Sequence, residues 1–154
     1  MPVRTTTIWE TIAVEAERES PLWAAALRDE VDREETPVFS PLTEERFALG
    51  IESIYEGYLL HYGRPRLFSP ADRDAAVLLG DYLYAHGLVR ITALGDVIAV
   101  ERLAELLSLC AHLRAENQAG DGEAWASTVG SLGDGEPSPD AVHRALALHS
   151  DRVL

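Results

Sequence analysis

The chain has 154 residues, of which 47% are hydrophobic, so it can form one domain with a core and is not expected to be disordered. It carries 13 basic and 26 acidic side chains, a net charge of −13, and this balance disfavours nucleic acid and anionic membranes as partners. Lysine is absent and Cys110 is the single cysteine, which excludes a Schiff base and an intrachain disulfide and disfavours a structural zinc site.

The hydrophobic periodicity predicts an all-α protein. The spacing of apolar residues favours helices over residues 6–18, 21–35, 41–62, 70–93, 97–116 and 139–151. Four Ser-Pro pairs precede predicted helices, and serine at the N-cap with proline in the first turn is typical of a helix start. We therefore expect a helical bundle core over 1–118, a Gly/Ser/Asp-rich loop over 119–138 and a C-terminal helix within 139–154. The loop can hold a short helix around Trp125, and we expect the region beyond residue 120 to dock lightly.

No signal for export or membrane insertion is present in the sequence. Charged residues interrupt each apolar run near the N-terminus and elsewhere, so no segment predicts a membrane-spanning helix. We expect a cytoplasmic protein.

Two of the predicted helices carry glycines seven residues apart. Gly50, Ile54, Gly57 and His61 share one face of the helix over 41–62, and Gly80 and Gly87 share a face of the helix over 70–93. A glycine inside a helix costs about 1 kcal/mol relative to alanine, so two such pairs indicate a compensating contact. We favour close packing of two helices; the alternative is a ligand lying along the smooth stripe.

Other polar patterns predict no catalytic or metal site. Glu52 and Glu56, like His112 and Glu116, are four residues apart, and we interpret both pairs as solvated helix faces. No Glu-x-x-His motif, catalytic triad spacing or phosphate-binding glycine loop occurs. We expect no catalytic residue, no metal and no cofactor.

Residues 51–116 resemble part of the polyprenyl synthetase (trans-isoprenyl diphosphate synthase) family. The chain reads IESIYEGYLLHY over 51–62, GRPRL over 63–67 and AAVLLGDYLYAH over 75–86. The family has a helix ending in LLHDD, a short connection, and a helix of the type AVLxGDYLxARAL. The resemblance implies the first half of the isoprenoid synthase fold.

The departures from the family pattern imply a protein without the family's catalytic activity. The family's aspartates hold magnesium ions that bridge a diphosphate, and His61, Tyr62 and Gly63 stand in their place. Neither the family's basic GGKRxRP element nor its second aspartate-rich motif has a counterpart in these 154 residues. Asp81 occupies the family's Gly-Asp position, where we predict a structural, buried pairing with an arginine rather than metal binding.

The sequence therefore predicts a non-catalytic subunit that assembles with a prenyl synthase, with itself or with a larger complex. Exposed apolar stripes on the helices over 41–62 and 70–93 would form the interface. The alternative is a module that binds a prenyl lipid or quinone in a vestigial chain tunnel, with Gly57, His61, Gly80, Tyr84 and Gly87 lining the groove. Residual prenyltransferase activity is disfavoured because both aspartate-rich motifs are missing.

Overall fold

A computed structural model describes residues 5–153; residues 1–4 and 154, at the outer ends of the predicted core and C-terminal segment, lie outside it. The prediction of an all-helical bundle is confirmed. The helices are α1 (Ile8–Glu19), α2 (Pro21–Ala26), α3 (Ala48–Tyr62), α4 (Arg73–Ala93), α5 (Val97–Ala115), α6 (Asp121–Gly130) and α7 (Pro139–Arg152). No helix in the described part of the chain is both long enough and apolar enough to cross a membrane.

The helix α3 is the centre of the molecule. Every residue from Gly50 to Leu60 is buried, and α3 packs along α4 as well as against α1 and the turns that precede it. A helix that is apolar around most of its circumference is expected to be surrounded by protein. One core cluster joins α3 to α5, α6 and α7, and a second joins α1 and α2 to α4.

Local hydrogen bonds explain where the helices begin. The side chains of Thr7, Ser20, Asp72 and Ser138 each accept a bond from a backbone N–H in the first turn of the helix that follows. The helix predicted from residue 70 therefore begins at Arg73, after the Asp72 cap.

The predicted helix over 21–35 is wrong in length. It ends at Ala26 because the chain then becomes extended at Leu27, which bridges to Phe68. Val31, which falls within the predicted helix, lies beyond its observed end and is 92% exposed. The helix predicted to start at residue 41 also starts late, since two short 3-10 turns precede α3.

The region beyond residue 120 is part of the core rather than a light appendage. The segment predicted mainly as a loop contains the ten-residue helix α6, and its Trp125 is fully buried. The Trp125 ring stacks on Phe39 at 5.4 Å between centroids and meets Tyr55 edge-on at 5.2 Å. This aromatic contact attaches α6 to α3.

Candidate functional site

The two glycine stripes face each other where α3 crosses α4. A Cβ placed on Gly57 would lie 2.7 Å from the carbonyl oxygen of Gly80, and one on Gly87 would lie 2.9 Å from that of Gly50. Both distances are shorter than a normal carbon–oxygen contact, so only glycine lets the two backbones approach this closely. The space along the stripe is therefore occupied by the other helix of the same chain.

The remaining residues of the predicted groove fill the edges of this crossing. Ile54 is fully buried, and its side chain would lie 2.5 Å from a Cβ on Gly87. The His61 ring stacks on the Tyr84 ring at 5.1 Å between centroids. The residues that the sequence assigned to the groove are therefore brought together by the fold, and they contact one another.

Asp81 differs from its prediction. Its side chain is 64% exposed, and its Oδ1 pairs with His61 Nε2 at 3.1 Å. The predicted buried pairing with an arginine is wrong, because position 81 lies at the exposed margin of the α3–α4 crossing, where its partner is His61. Asp81 connects the two helices at the surface instead.

Glu52 and Glu56 do not form a solvated face; both are fully buried around Arg66. The Arg66 guanidinium donates to Glu52 Oε1 at 2.6 Å and to Glu56 Oε1 at 3.0 Å, and it lies between the rings of Trp9 and Tyr55. The backbone N–H groups of residues 38 and 40 donate to Glu52, and those of residues 66 and 67 donate to Glu56. These bonds satisfy both carboxylates and fasten the connections on each side of α3, which is a structural role. His112 and Glu116, by contrast, are exposed as predicted.

A second polar network, which the sequence did not predict, joins α3, α5, α6 and α7. Asp121 Oδ2 accepts hydrogen bonds from the hydroxyl of Tyr58 at 2.6 Å and from Arg114 at 2.7 Å, and it contacts His149 Nε2 at 3.2 Å. His149 Nδ1 lies 2.7 Å from the hydroxyl of Tyr55. With the proton on Nε2, His149 donates a hydrogen bond to Asp121 and accepts one from Tyr55. A single tautomer of His149 therefore satisfies both of these hydrogen bonds.

The electrostatics of this network favour a charged Asp121. Burial alone would raise the pKa of the Asp121 carboxyl, but hydrogen bonds from His149, Tyr58 and Arg114 hold it well below its usual range. Burial and the adjacent carboxylate raise the pKa of the Tyr58 hydroxyl. No local pattern in the sequence signalled this network, since Tyr55 and His149 lie 94 residues apart, Tyr58 and Asp121 lie 63 apart, and Arg114 and Asp121, 7 apart, are separated by the turn between two helices.

Nothing in these networks forms a metal centre. Within residues 5–153, no group of three or more His, Cys, Asp or Glu side chains is placed to hold a metal ion.

The exposed side of α4 carries an uninterrupted apolar line, here named the α4 face and defined as Leu78, Tyr82, Ala85 and Val89. Leu78 is 57% exposed and Val89 is 62% exposed, Ala85 is exposed, and Tyr82 is half-buried. Their spacing of four, three and four residues places them on one side of the helix. The line lies on the side of α4 opposite to Gly80 and Gly87, which face α3.

An apolar groove adjoins one end of the α4 face. This α2–α4 groove has a volume of about 310 Å³, and its lining includes Leu22, Trp23 and Ala75 together with Leu78. Leu78 thus belongs to both features, and the Tyr82 ring contacts the Trp23 ring in a tilted arrangement with 6.0 Å between centroids. Groove and face form one continuous apolar surface, which makes it the candidate functional site.

Comparison of the chain with known protein families, curated proteins and solved structures found no match in any of the three. The structure defines an all-helical protein. The resemblance to polyprenyl synthetases stays a prediction.

Proposed function

We propose that this protein is a non-catalytic helical assembly protein that binds another protein chain through the α4 face. The observation that carries the proposal is the exposure of Leu78, Ala85 and Val89 in one line on a helix whose opposite side is buried. One quarter of the residues in this chain are charged, yet the α4 face contains no charged side chain. A contiguous apolar surface of this kind on a highly charged protein is typical of an interaction site.

The energetics favour a partner over exposure to water. Complete burial of a leucine or valine side chain stabilises a complex by about 1.5–3 kcal/mol, and the face offers two such residues with Tyr82 between them. Aromatic side chains with an apolar body and a polar tip are common at interfaces. Of the two helices that the sequence assigned to an interface, α3 is buried within its own chain, and the glycine stripe of α4 is buried against it; the α4 face is a different, exposed side of α4.

The description as non-catalytic rests on the sequence, which has His61 and Tyr62 where the family it resembles has metal-binding aspartates. The prenyl-lipid alternative required space along the glycine stripes. Because α3 and α4 fill that space with each other, no specific observation favours a lipid there.

Site-specific photo-crosslinking in the native cells tests the proposal. A benzophenone side chain introduced at Ala85 reports on the α4 face, and the same group at Leu109, a 47% exposed leucine on α5, is the matched control. We expect a discrete crosslinked protein from position 85, lost when Leu78→Glu is added, and none from position 109. Equal or absent crosslinking at both positions would refute the assembly function.

A further inference from the structure

We infer that the occupant of the α4 face is a basic amphipathic helix belonging to a different protein. This inference rests on the assembly function proposed above and adds the secondary structure and the charge of the partner. Three features of the surface carry it: the shape of the face, the adjoining groove and the charges along the edges.

The shape of the α4 face suits another helix. Its residues recur at spacings of four and three, the pattern by which one helix presents a seam to another. The seam from Leu78 to Val89 is about 16 Å long at 1.5 Å per residue, or about three helical turns. Ala85 lies within it, and a small residue at that point lets a second helix approach closely.

The α2–α4 groove gives this helix an anchoring point. It is almost entirely apolar, and at about 310 Å³ it can receive one large side chain such as leucine or phenylalanine. Large apolar or aromatic side chains seated in pockets dominate the energy of helix-in-groove complexes. A partner helix that lies along α4 and places one such residue near Leu78 would cover both features.

The edges of the surface carry carboxylates. Asp74 and Asp81 are seven residues apart, so they share one edge of the α4 face, and Asp72 lines the groove at its end; all three are exposed. On the side of α1, the exposed carboxylate of Glu19 lies close enough to raise the pKa of the Tyr82 hydroxyl, after the larger effect of burial.

The two arginines of α4 are engaged elsewhere. Arg73 donates to the backbone carbonyl of His61 at 3.4 Å, and Arg90 is paired with Glu15, which also bonds His86. The charged side chains that α4 itself presents along this edge are therefore the carboxylates Asp74 and Asp81, the latter also in contact with His61. Arginine or lysine side chains flanking an apolar seam would complement these carboxylates, whereas acidic ones would be repelled.

The same charges disfavour a second copy as the occupant. Each chain has a net charge of −13. A two-fold axis between antiparallel α4 helices would also place the edge that carries Asp74 and Asp81 beside the same edge of its partner. Like charges at that position would oppose association.

Peptide binding to the full chain tests the inference directly. The probe is a synthetic helix of about 18 residues with leucine and alanine along one face and arginine elsewhere. Two controls keep its length: one has glutamate in place of arginine, and one has the basic composition with the apolar face scrambled. Fluorescence anisotropy should show binding at least tenfold tighter to the basic amphipathic peptide than to either control.

Variants of the protein separate the apolar contribution from the charged one. Leu78→Ser should weaken binding of the basic peptide by roughly tenfold, and Asp74→Asn combined with Asp81→Asn should weaken it by several fold and reduce its salt dependence. Leu109→Ser on α5 should have no effect. Equal binding of the three peptides, or equal effects of the Leu78 and Leu109 changes, would overturn the inference.

Two further outcomes distinguish this inference from the assembly function. A concentration-dependent dimer in sedimentation equilibrium, abolished by Leu78→Ser, would make a second copy the occupant, which overturns the basic partner and keeps the assembly function. Crosslinking from Ala85 to an acidic or non-helical segment of another protein would also overturn the basic helical partner and keep the assembly function. Crosslinking to an arginine- or lysine-flanked helix would support both.

Discussion

Alanine substitutions at the crossing of α3 and α4 decide between the two interpretations of the glycine stripes. Replacing glycine with alanine inside a helix ordinarily raises stability by about 1 kcal/mol. At Gly57 and Gly87 the added Cβ would instead lie 2.7 Å and 2.9 Å from backbone carbonyl oxygens of the opposite helix. Backbone cannot rotate out of the way as a side chain can, so the helices must move apart.

The magnitude follows from two opposing effects. Overpacking of a well-packed interior costs about 1–3 kcal/mol, and the gain in helix propensity offsets about 1 kcal/mol of it. We expect Gly57→Ala and Gly87→Ala each to lower the free energy of unfolding by about 1–2 kcal/mol. Gly80→Ala should have a similar cost, because its Cβ would lie 2.7 Å from the movable ring of His61 but also 3.0 Å from the backbone carbonyl oxygen of Gly57.

Urea unfolding followed by far-UV circular dichroism measures these differences. Ala85→Gly, at an exposed position of the same helix, is the control for helix propensity and should lower stability by about 1 kcal/mol without any packing effect. The double variant Gly57→Ala/Gly80→Ala should lose less than the sum of the single losses, since these residues face each other and one displacement relieves both. If Gly57→Ala and Gly87→Ala each stabilise the protein by about 1 kcal/mol, the helices do not touch there and the stripe is open to a ligand.

Three further predictions concern the polar and sulfur groups of the interior. Arg66→Met should cost about 3–5 kcal/mol in urea unfolding because it leaves two buried carboxylates without a counter-charge, whereas Arg46→Met, at an exposed ion pair, should change stability little. The folded-state pKa of Asp121 lies below that of the unfolded chain, so its stabilisation is present above about pH 4 and is lost as the pH falls further. Asp121→Asn should flatten the stability profile in that acidic range, and an unchanged profile would contradict the assigned hydrogen bonds. Burial raises the pKa of the Cys110 thiol to about 11, so we expect no alkylation of the folded protein by iodoacetamide at pH 8 and rapid alkylation in urea.

Sequence reasoning succeeded where the signal was periodic. The glycines recur every seven residues on two neighbouring helices, and that regularity alone favoured a close crossing. The α4 face was not found in this way, because the stripe that the sequence singled out on this helix was that of Gly80 and Gly87, which is buried against α3.

It failed where the partner of a residue lies in an irregular segment. Glu52 and Glu56 have the spacing of a solvated helix face, and only the return of the extended chain at Arg66 to α3 makes them a buried pair. Composition misled the prediction for α6, because glycine, serine and aspartate usually mark a loop. Trp125 was the one contrary residue there, and its burial against Phe39 outweighs the low helix propensity of its neighbours.

The arginines explain how so acidic a chain can fold and still present an acidic surface. Several connect segments that are distant in sequence: Arg28 donates to the carbonyl groups of residues 65 and 68, Arg64 to that of residue 151, Arg114 to Asp121 and Arg152 to Glu34. A guanidinium has five donors in a fixed plane and can satisfy several acceptors at once, which a lysine cannot do in the same geometry. The overall balance of 13 basic to 26 acidic residues leaves carboxylates in excess after these contacts are made. An uncharged helix face set in such a surface selects a partner that is apolar along one line and basic on both sides of it.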